Sequence, residues 1–294
     1  MRTQFLRSVL SASLLLSVSS FQLTIFQPHM TTLAPRVADQ LAALERAAAA
    51  AGAAGSNLLV VPELYLTGYN LDAAFDTEPR GGPRYAAVGA MARTSNVSIV
   101  FTYAERGADG RTYDAAVLFG RDGAPKLDYR KTNLASGEGL FLTPGDAIGP
   151  VVDVDGVRVG VLICFDVFLP EPARILALSR ADLIVVPTAN GYPPSIFNSV
   201  ADLIVPARAL ENSAVVAYVN YVQVGPPGAP FPEIWTFYGH TTVADSGGNV
   251  LFTGPSDAEA IAHIPLNFTG GGSTAIGRPA ADMRGLCDAV NATR

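Results

Sequence analysis

Three strand-like segments of this chain each end at a side chain capable of acid–base or nucleophilic chemistry. Two of the segments are continuous apolar runs, and the third is a shorter strand pattern. NLLVVPE ends at Glu63, KLDYRK at Lys131 and GVLIC at Cys164. Apolar runs of this length are typical of strands that are buried on both faces of a sheet. Because open α/β sheets hold their ligands at the carboxyl ends of such strands, we expect the acid, the ammonium and the thiol to meet in one site.

Cys164 lies where a predicted strand passes into a helix pattern that begins at Pro170. A thiol at such an elbow faces a cleft, and the N–H groups of the following turn favour its thiolate form. Considered singly, each of the three residues has a plainer interpretation. Free cysteines are mostly buried core residues, Glu63 fits a helix cap or a surface carboxylate, and Lys131 fits a solvated charge. Their common position at strand ends favours the functional interpretation.

Strand and helix patterns alternate along most of the chain, which predicts an α/β fold. The runs NLLVVPE and DLIVVPT are similar enough to indicate two structurally related halves. The expected architecture is a four-layer α-β-β-α sandwich, with two sheets packed face to face and helices outside. Helix patterns cover 35–54, 83–95, 170–180 and 197–212, and strand patterns cover 21–27, 57–63, 96–105, 112–120, 126–131, 151–164, 181–190 and 214–220.

Composition divides the chain into three parts. Residues 1–20 form a leader-like or non-native extension, 21–268 form one large domain, and 269–294 form a tail, rich in Gly, Pro and Ala, that wraps or pairs with a second subunit. The extension carries Arg2, Arg7 and no acid, as a secretory or transit signal does. A strand pattern follows it without a spacer, and an unpaired nucleophilic thiol survives best in a reducing compartment. We therefore expect a cytoplasmic protein.

Charge and composition exclude several classes of partner. The chain has 294 residues, a net charge of −6 and no cluster of Lys or Arg, which argues against nucleic acid. No window reaches the ~18 uninterrupted apolar residues of a membrane span. The two cysteines, Cys164 and Cys287, form no disulfide framework. There is no P-loop, GxSxG motif or zinc-spaced ligand set, so nucleotide, serine-esterase and metal chemistry have little support.

Five sequence blocks follow one another along the chain: PELYLTGYN (62–70), YRKTNL (129–134), LICFDVFLPEPAR (162–174), ARALEN (207–212) and FYGHTTVADSGGNVL (237–251). In order and spacing they resemble the signature blocks of the nitrilase superfamily of carbon–nitrogen hydrolases. The similarity spans roughly 22–265, and its local sequence, as in TGYNL and VPTAN, is closest to aliphatic and amino-acid-amide amidases. The resemblance implies the same four-layer sandwich, a Glu-Lys-Cys triad and no cofactor.

Within this resemblance each matching residue has an expected role. Cys164 attacks the carboxamide carbon and forms a thioester, and Glu63 is the general base. Lys131 and the backbone N–H of Phe165 stabilise the oxyanion, while Glu138 orients Lys131 or the substrate amide. The candidates for the substrate pocket are Tyr69, Asn70, Thr188, Asn190 and Tyr192.

Departures from the family pattern refine the expected reaction. True nitrilases have Trp-Glu-Asn after the thiol, whereas this chain has Phe-Asp-Val at 165–167, which favours amides over nitriles. Asn133 replaces a common His, and His240 stands where Thr or Ser is usual. The segment 201–207 has the pattern of a strand, but the family context favours a helix that restarts at Pro206, since proline is tolerated in a first turn.

The expected function is hydrolysis of a small carboxamide to a carboxylate and ammonia by a homodimer or larger homo-oligomer. An N-carbamoyl amino acid amidohydrolase and a nitrilase are alternatives within the same fold. A Cys-His hydrolase with His29, His240 or His263 as its base is a third. An amidase-signature enzyme, suggested by GGGST (270–274), and a catalytically idle scaffold that retains the fold complete the set.

Overall fold

The computed structural model describes residues 18–30, 32, 34–69, 76–191, 200–222 and 237–269. Two predicted pocket residues, Asn70 and Tyr192, lie outside the described residues, as do Cys287, the GGGST segment and the predicted tail from 270 onwards. None of the described helices is both long enough and apolar enough to cross a membrane.

Two six-stranded sheets form the centre of the molecule. The first has the order β12-β1-β2-β3-β4-β5, and the second has the order β6-β7-β8-β9-β10-β11. The strands of the first sheet are β1 (Val18–Gln27), β2 (Leu58–Val60), β3 (Ser98–Arg106), β4 (Thr112–Phe119), β5 (Pro125–Arg130) and β12 (Ala260–Thr269). Those of the second are β6 (Val152–Val154), β7 (Val157–Val161), β8 (Leu183–Pro187), β9 (Val215–Val219), β10 (Thr242–Ala244) and β11 (Val250–Thr253).

Helices cover the outer face of each sheet. They are α1 (Val37–Ala53), α2 (Pro83–Ser95), α3 (Pro170–Leu178) and α4 (Val205–Asn212). One buried cluster joins α1 and α2 to the first sheet, a second lies between the sheets, and a third joins α3 and α4 to the second sheet. Three apolar layers between four layers of secondary structure make the predicted α-β-β-α sandwich, which is confirmed.

The two sheets have the same internal pattern. Each has three neighbouring parallel strands, β1-β2-β3 in one and β7-β8-β9 in the other. An antiparallel strand flanks each set on one side, β12 against β1 and β6 against β7. The similar runs NLLVVPE and DLIVVPT contain the equivalent central strands β2 and β8. The prediction of two related halves is therefore confirmed at the level of topology.

Local conformations follow from the turn and helix residues. Asp155 and Gly156, with φ of 51° and 86°, form a two-residue turn between β6 and β7. The ambiguous segment 201–207 is helical, because a π-helical turn (Val200–Ile204) runs into α4, which has Pro206 in its first turn. The first strand begins at Val18, within the segment assigned to the extension, and pairs along its length with β12, a strand that the sequence patterns missed.

Candidate active site

The structure brings Glu63, Lys131 and Cys164 together at one edge of the sandwich. Glu63 follows β2 and Lys131 follows β5, both in the first sheet, whereas Cys164 follows β7 in the second. The Lys131 Nζ lies 2.6 Å from Oε1 of Glu63. The side chains of Glu63 and Lys131 are fully buried, and Cys164 is 6% exposed. The acid, the ammonium and the thiol thus converge where the two sheets meet.

Three carboxylates surround the Lys131 ammonium. Its Nζ lies 2.6 Å from Glu63, 2.8 Å from Glu138 and 3.6 Å from Asp114. Burial alone lowers the pKa of Lys131, but the acidic groups around it, those of Glu63, Cys164, Asp114 and Glu138, outweigh this effect, so the pKa is raised well above its ordinary value. Lys131 is therefore a cation. One oxygen from each carboxylate lies within 4.8 Å of the others, a donor set typical of a metal site, but the ammonium already lies among them.

Glu138 lies in a short 3₁₀ turn that holds it against Lys131. Its carboxylate accepts hydrogen bonds from Lys131 Nζ at 2.8 and 2.9 Å. It also accepts the Tyr69 hydroxyl and the Ala135 N–H, each at 2.6 Å. The preceding Gly137 has a φ of 88°, a conformation that favours glycine. Glu138 is thus placed to orient Lys131, the first of the two roles expected for it.

Glu63 is held by groups from the other half of the molecule. Its Oε2 accepts the N–H of Ala189, which follows β8, at 2.7 Å. Its backbone carbonyl accepts the hydroxyl of Tyr221, just beyond β9, at 2.9 Å. Both sheets therefore fix the position of Glu63. Its Oε2 accepts from Ala189, and its Oε1 stays paired with Lys131.

Cys164 occupies a strained position at the end of β7. It begins a 3₁₀ turn (Cys164–Phe168) and has a φ of 44°, in the left-handed region that a non-glycine residue rarely adopts. Phe165 is the second residue of this turn, a position whose N–H has no acceptor within the turn. Cys164 therefore lies at a sharp turn between β7 and the helix that follows, which is the elbow that the sequence predicts.

The protonation state of the thiol differs from the prediction. Burial, followed by the charge of Glu63, raises the pKa of Cys164 well above the ordinary thiol value, and Lys131 only partly opposes this. The prediction that the elbow favours a thiolate is therefore wrong for the resting protein. The N–H groups of the turn favour the thiolate, but burial and the charge of Glu63 disfavour it more strongly. Deprotonation consequently needs an adjacent base, and Glu63 is in place to be that base.

Asp166 connects the thiol elbow to the segment that carries Lys131. Its carboxylate accepts the N–H of Ile163 at 2.9 Å and the Tyr129 hydroxyl at 2.6 Å. It also accepts the Asn133 N–H and side-chain amide at 3.0 and 2.9 Å, and the Thr132 hydroxyl at 3.2 Å. Four of these five hydrogen bonds join the elbow to the chain that leaves β5, and the fifth, from Ile163, is local to the elbow. This role of Asp166 was not predicted from the sequence, although an acid two residues after Cys164 is a visible signal.

A narrow cleft opens onto the thiol. Of the predicted pocket residues, Tyr69 and Asn190 line it, whereas Thr188 is buried and donates its hydroxyl to the Val186 carbonyl at 3.0 Å. The Asn190 amide donates to the Tyr218 hydroxyl at 2.9 Å. The described lining comprises Tyr69, Ala135, Ser136, Cys164, Phe165, Phe168, Ala189 and Asn190. It combines a small apolar surface with a few polar groups, as small-ligand sites do.

No histidine lines the described part of this cleft. His263 Nδ1 is 2.8 Å from the Thr24 hydroxyl, and His29 Nε2 accepts the N–H of Glu259 at 3.3 Å. His240 is not among the described residues that line the cleft. The geometry therefore gives no support to a Cys-His hydrolase.

Comparisons with known proteins agree with this arrangement. A family model described as carbon-nitrogen hydrolase matches residues 17–271. A protein described as a hydrolase in the pqqF 5′ region of Pseudomonas protegens is 35% identical over 237 residues, which cover 79% of each chain. An (R)-stereoselective amidase from a Pseudomonas species is 35% identical over 233 residues, 78% of this chain and 81% of that protein. The crystal structure of an amidase from a Nesterenkonia species has a TM-score of 0.74 at 24% identity and covers 90% of this chain and 96% of its own, which shows a common fold.

Proposed function

Since the chain belongs to the carbon–nitrogen hydrolase family, as its sequence blocks predict, we propose that it hydrolyses a small carboxamide, one that carries no carboxylate of its own, to a carboxylate and ammonia through a thioester of Cys164. The observation that carries this proposal is the convergence of three groups at the cleft. Lys131 lies 2.6 Å from Glu63, and both are beside the buried thiol. These are a base, a nucleophile and an oxyanion donor, the groups that acyl transfer from nitrogen requires.

In the first half-reaction the thiol proton moves to Glu63 as the sulfur attacks the amide carbon. The carbonyl π electrons move onto oxygen, and the Lys131 ammonium and the Phe165 N–H stabilise the resulting oxyanion. When the tetrahedral intermediate collapses, the C–N bond breaks and Glu63 returns its proton to the departing nitrogen. Ammonia leaves, and the acyl group remains on the sulfur of Cys164.

In the second half-reaction a water molecule replaces ammonia. Glu63 takes a proton from the water, whose oxygen attacks the thioester carbon, and Lys131 again stabilises the oxyanion. Collapse expels the Cys164 sulfur, which recovers a proton from Glu63. The carboxylic acid is released and the resting enzyme is restored without any cofactor.

The charge of the cleft supports an amide without a carboxylate of its own. No cationic side chain is among the described lining residues, and Lys131 is already surrounded by Glu63, Glu138 and Asp114. A substrate carboxylate would be buried without a partner, which is costly. This favours simple or amino-acid amides over N-carbamoyl amino acids. The 35% identity to an (R)-stereoselective amidase supports the same choice.

An ammonia-release screen tests this proposal. We expect release from short aliphatic amides and amino-acid amides, and much less from N-carbamoyl amino acids and nitriles. Cys164→Ala is the blank and should retain no activity, whereas Cys287→Ala, outside the matched family region, is the matched control and should retain it. Release from nitriles or carbamoyl compounds in preference to amides would contradict the substrate class. Absence of release from every compound, together with no substrate protection of Cys164 against alkylation, would support the idle scaffold.

Self-association is part of the same proposal. Apolar side chains on the outer helices are unusually exposed, including Ile175 at 45%, Leu203 at 66% and Leu210 at 49%. Such a patch is typical of a subunit interface, which supports a homodimer or larger assembly. Sedimentation analysis should give at least a dimer for the wild type, and Leu203→Glu with Leu210→Glu should give smaller particles. A wild-type monomer at micromolar concentration would contradict this part.

A cytoplasmic location completes the proposal. It is supported by the need to keep the nucleophilic thiol of Cys164 reduced and unpaired. Fractionation of cells that express the full chain should recover it with cytoplasmic markers at its full mass. Recovery of a shortened chain from a secreted or organellar fraction would contradict this location.

A further inference from the structure

Asp114 is a completely buried acid that the triad does not include. It lies on β4 next to Ala115, the residue that pairs with Arg130 of β5. The backbone carbonyl of Asp114 accepts the Lys131 N–H at 2.8 Å. Its carboxyl Oδ2 lies 3.6 Å from Lys131 Nζ, too far for a hydrogen bond. Neither carboxyl oxygen has a hydrogen-bond donor among the described residues. A buried ionised carboxylate without donors is strongly disfavoured.

The charges around Lys131 do not balance if every acid is ionised. Glu63, Glu138 and Asp114 then contribute three negative charges against the single positive charge of Lys131, which leaves two uncompensated charges in a buried site even when the thiol is neutral. Burial makes such an excess costly, so at least one acid should hold a proton. The question is which of the three holds it.

Hydrogen-bond donors distinguish the three acids. Glu63 accepts from Lys131 Nζ and from the Ala189 N–H. Glu138 accepts from Lys131 Nζ and from two further donors, a tyrosine hydroxyl and a backbone N–H. Asp114 accepts from no N–H or hydroxyl group of the described residues, and its hydrogen-bonding neighbour is the carboxyl group of Glu63, with which it can share a proton. Because donors stabilise the ionised form of a carboxyl group, Asp114 is the acid least able to keep a negative charge.

We propose that Asp114 is an uncharged carboxylic acid in the resting enzyme and acts as a positioning residue for Lys131. The groups that face it are the carboxylates of Glu63 and Glu138, the ammonium of Lys131 and the hydroxyl of Tyr221. Burial, with the charge of Glu63 next, raises the pKa of Asp114 well above its ordinary value, and Lys131 opposes this.

An uncharged acid at this place has a consequence for the oxyanion. A carboxylate 3.6 Å from Lys131 would add negative potential where the tetrahedral intermediate develops its own negative charge. The neutral acid fills the same space and packs against Lys131 without that penalty. The kinetic consequence rests on the proposed amide hydrolysis, whereas the protonation state is a property of the resting protein and is measured without substrate.

Infrared difference spectroscopy of the full chain tests the protonation state. At neutral pH the wild type should show the carbonyl band of a buried uncharged carboxyl group, and Asp114→Asn should lack it. Asp128→Asn, which alters an acid of β5 that contacts Arg80 and Tyr85, is the matched control and should keep it. Asp114→Leu is a second variant that should also lack the band. Retention of the band in both Asp114 variants would overturn the proposal.

Kinetics test the positioning role on the same proteins. Asp114→Asn is already uncharged, so its kcat/KM should stay within about threefold of wild type, and the acid limb of its pH profile should stay in place. Asp114→Ala removes the packing against Lys131 and should lose about tenfold or more in kcat. A shift of the acid limb in Asp114→Asn by about one pH unit or more, or full activity in Asp114→Ala, would overturn this role. If the wild type hydrolyses no amide, the proposed function fails while the infrared result still decides the protonation state.

Discussion

The Nζ of Lys131 lies 2.6 Å from the Oε1 of Glu63, although their strands, β5 and β2, are separated in the first sheet by β3 and β4. The two side chains therefore meet over the ends of the intervening strands, close to Asp114 on β4. The contact joins the proposed general base to the proposed oxyanion donor, so a substitution of either residue should also alter the surroundings of the other.

Replacing Lys131 by Met should harm both catalysis and stability. Loss of an oxyanion donor typically costs about 3–4 kcal/mol, or a factor of roughly 10²–10³ in kcat. The variant also leaves buried acids without their cation, which costs about 3–5 kcal/mol in the free energy of unfolding. Steady-state kinetics and urea unfolding measure the two effects. Lys126→Met removes an exposed lysine of β5, the strand that precedes Lys131, and should change neither kcat nor the free energy of unfolding. Activity of Lys131→Met near the wild-type level would refute the assigned role.

Replacing Asp166 by Asn should loosen the elbow that carries Cys164. An amide cannot accept hydrogen bonds on both of its polar atoms, so several of the donors that now converge on Asp166 lose their acceptor. We expect about 1–3 kcal/mol less free energy of unfolding and at least about a tenfold loss in kcat with a smaller change in KM. Asp153→Asn, at an exposed position of β6, is the control. Equal losses in both variants would show that the effect is not specific to the elbow.

The meeting of Glu63, Lys131 and Cys164 could be predicted from the sequence because it depends only on local strand patterns and on the edge at which those strands end. The sandwich could be predicted from the alternation of strand and helix patterns and from the family resemblance. The position of Asp114 could not, since its closeness to Lys131 depends on the pairing register of β4 with β5, which the sequence does not specify.

The thiol and Asp166 illustrate a second limit of sequence reasoning. The turn that follows Cys164 was evident from the sequence, but its surroundings were not. Burial beside Glu63 reverses the expected effect on the thiol pKa. Likewise, the five donors of Asp166 come largely from another sheet. Electrostatic properties that depend on tertiary contacts lie beyond local pattern.

Alkylation of Cys164 should show an unusually high thiol pKa. With an uncharged reagent in a Cys287→Ala background, the rate should be low at neutral pH and should still rise above pH 9, the ordinary value for this group. The sign follows from burial and from Glu63, which both disfavour the thiolate. Glu63→Gln should therefore react faster at mildly alkaline pH while losing amide hydrolysis. A rate that levels off below the ordinary thiol pKa would contradict the charge distribution around the thiol.

The pH dependence of stability should reveal the proton on Asp114. Its pKa is raised from an ordinary value of 3.8, so above about pH 4 the folded state holds a proton that the unfolded chain has released. Stability from this group is complete below the unfolded pKa and declines as the pH rises towards the folded pKa, by about 1.4 kcal/mol per pH unit.

Asp114→Asn removes this titration, so its free energy of unfolding relative to wild type should improve steadily as the pH rises above the ordinary Asp pKa of 3.8. Urea unfolding at several pH values measures the difference, and Asp128→Asn serves as the control because that acid lies at the partly exposed outer surface of β5. The test uses the slope of this free-energy difference against pH, and not its size at one pH. A packing defect lowers stability equally at every pH, whereas the loss of the Asp114 proton changes stability with pH. Parallel curves for Asp114→Asn and wild type would mean that Asp114 is ionised in the folded protein, and the excess charge around Lys131 would then have to be neutralised at Glu63 or Glu138.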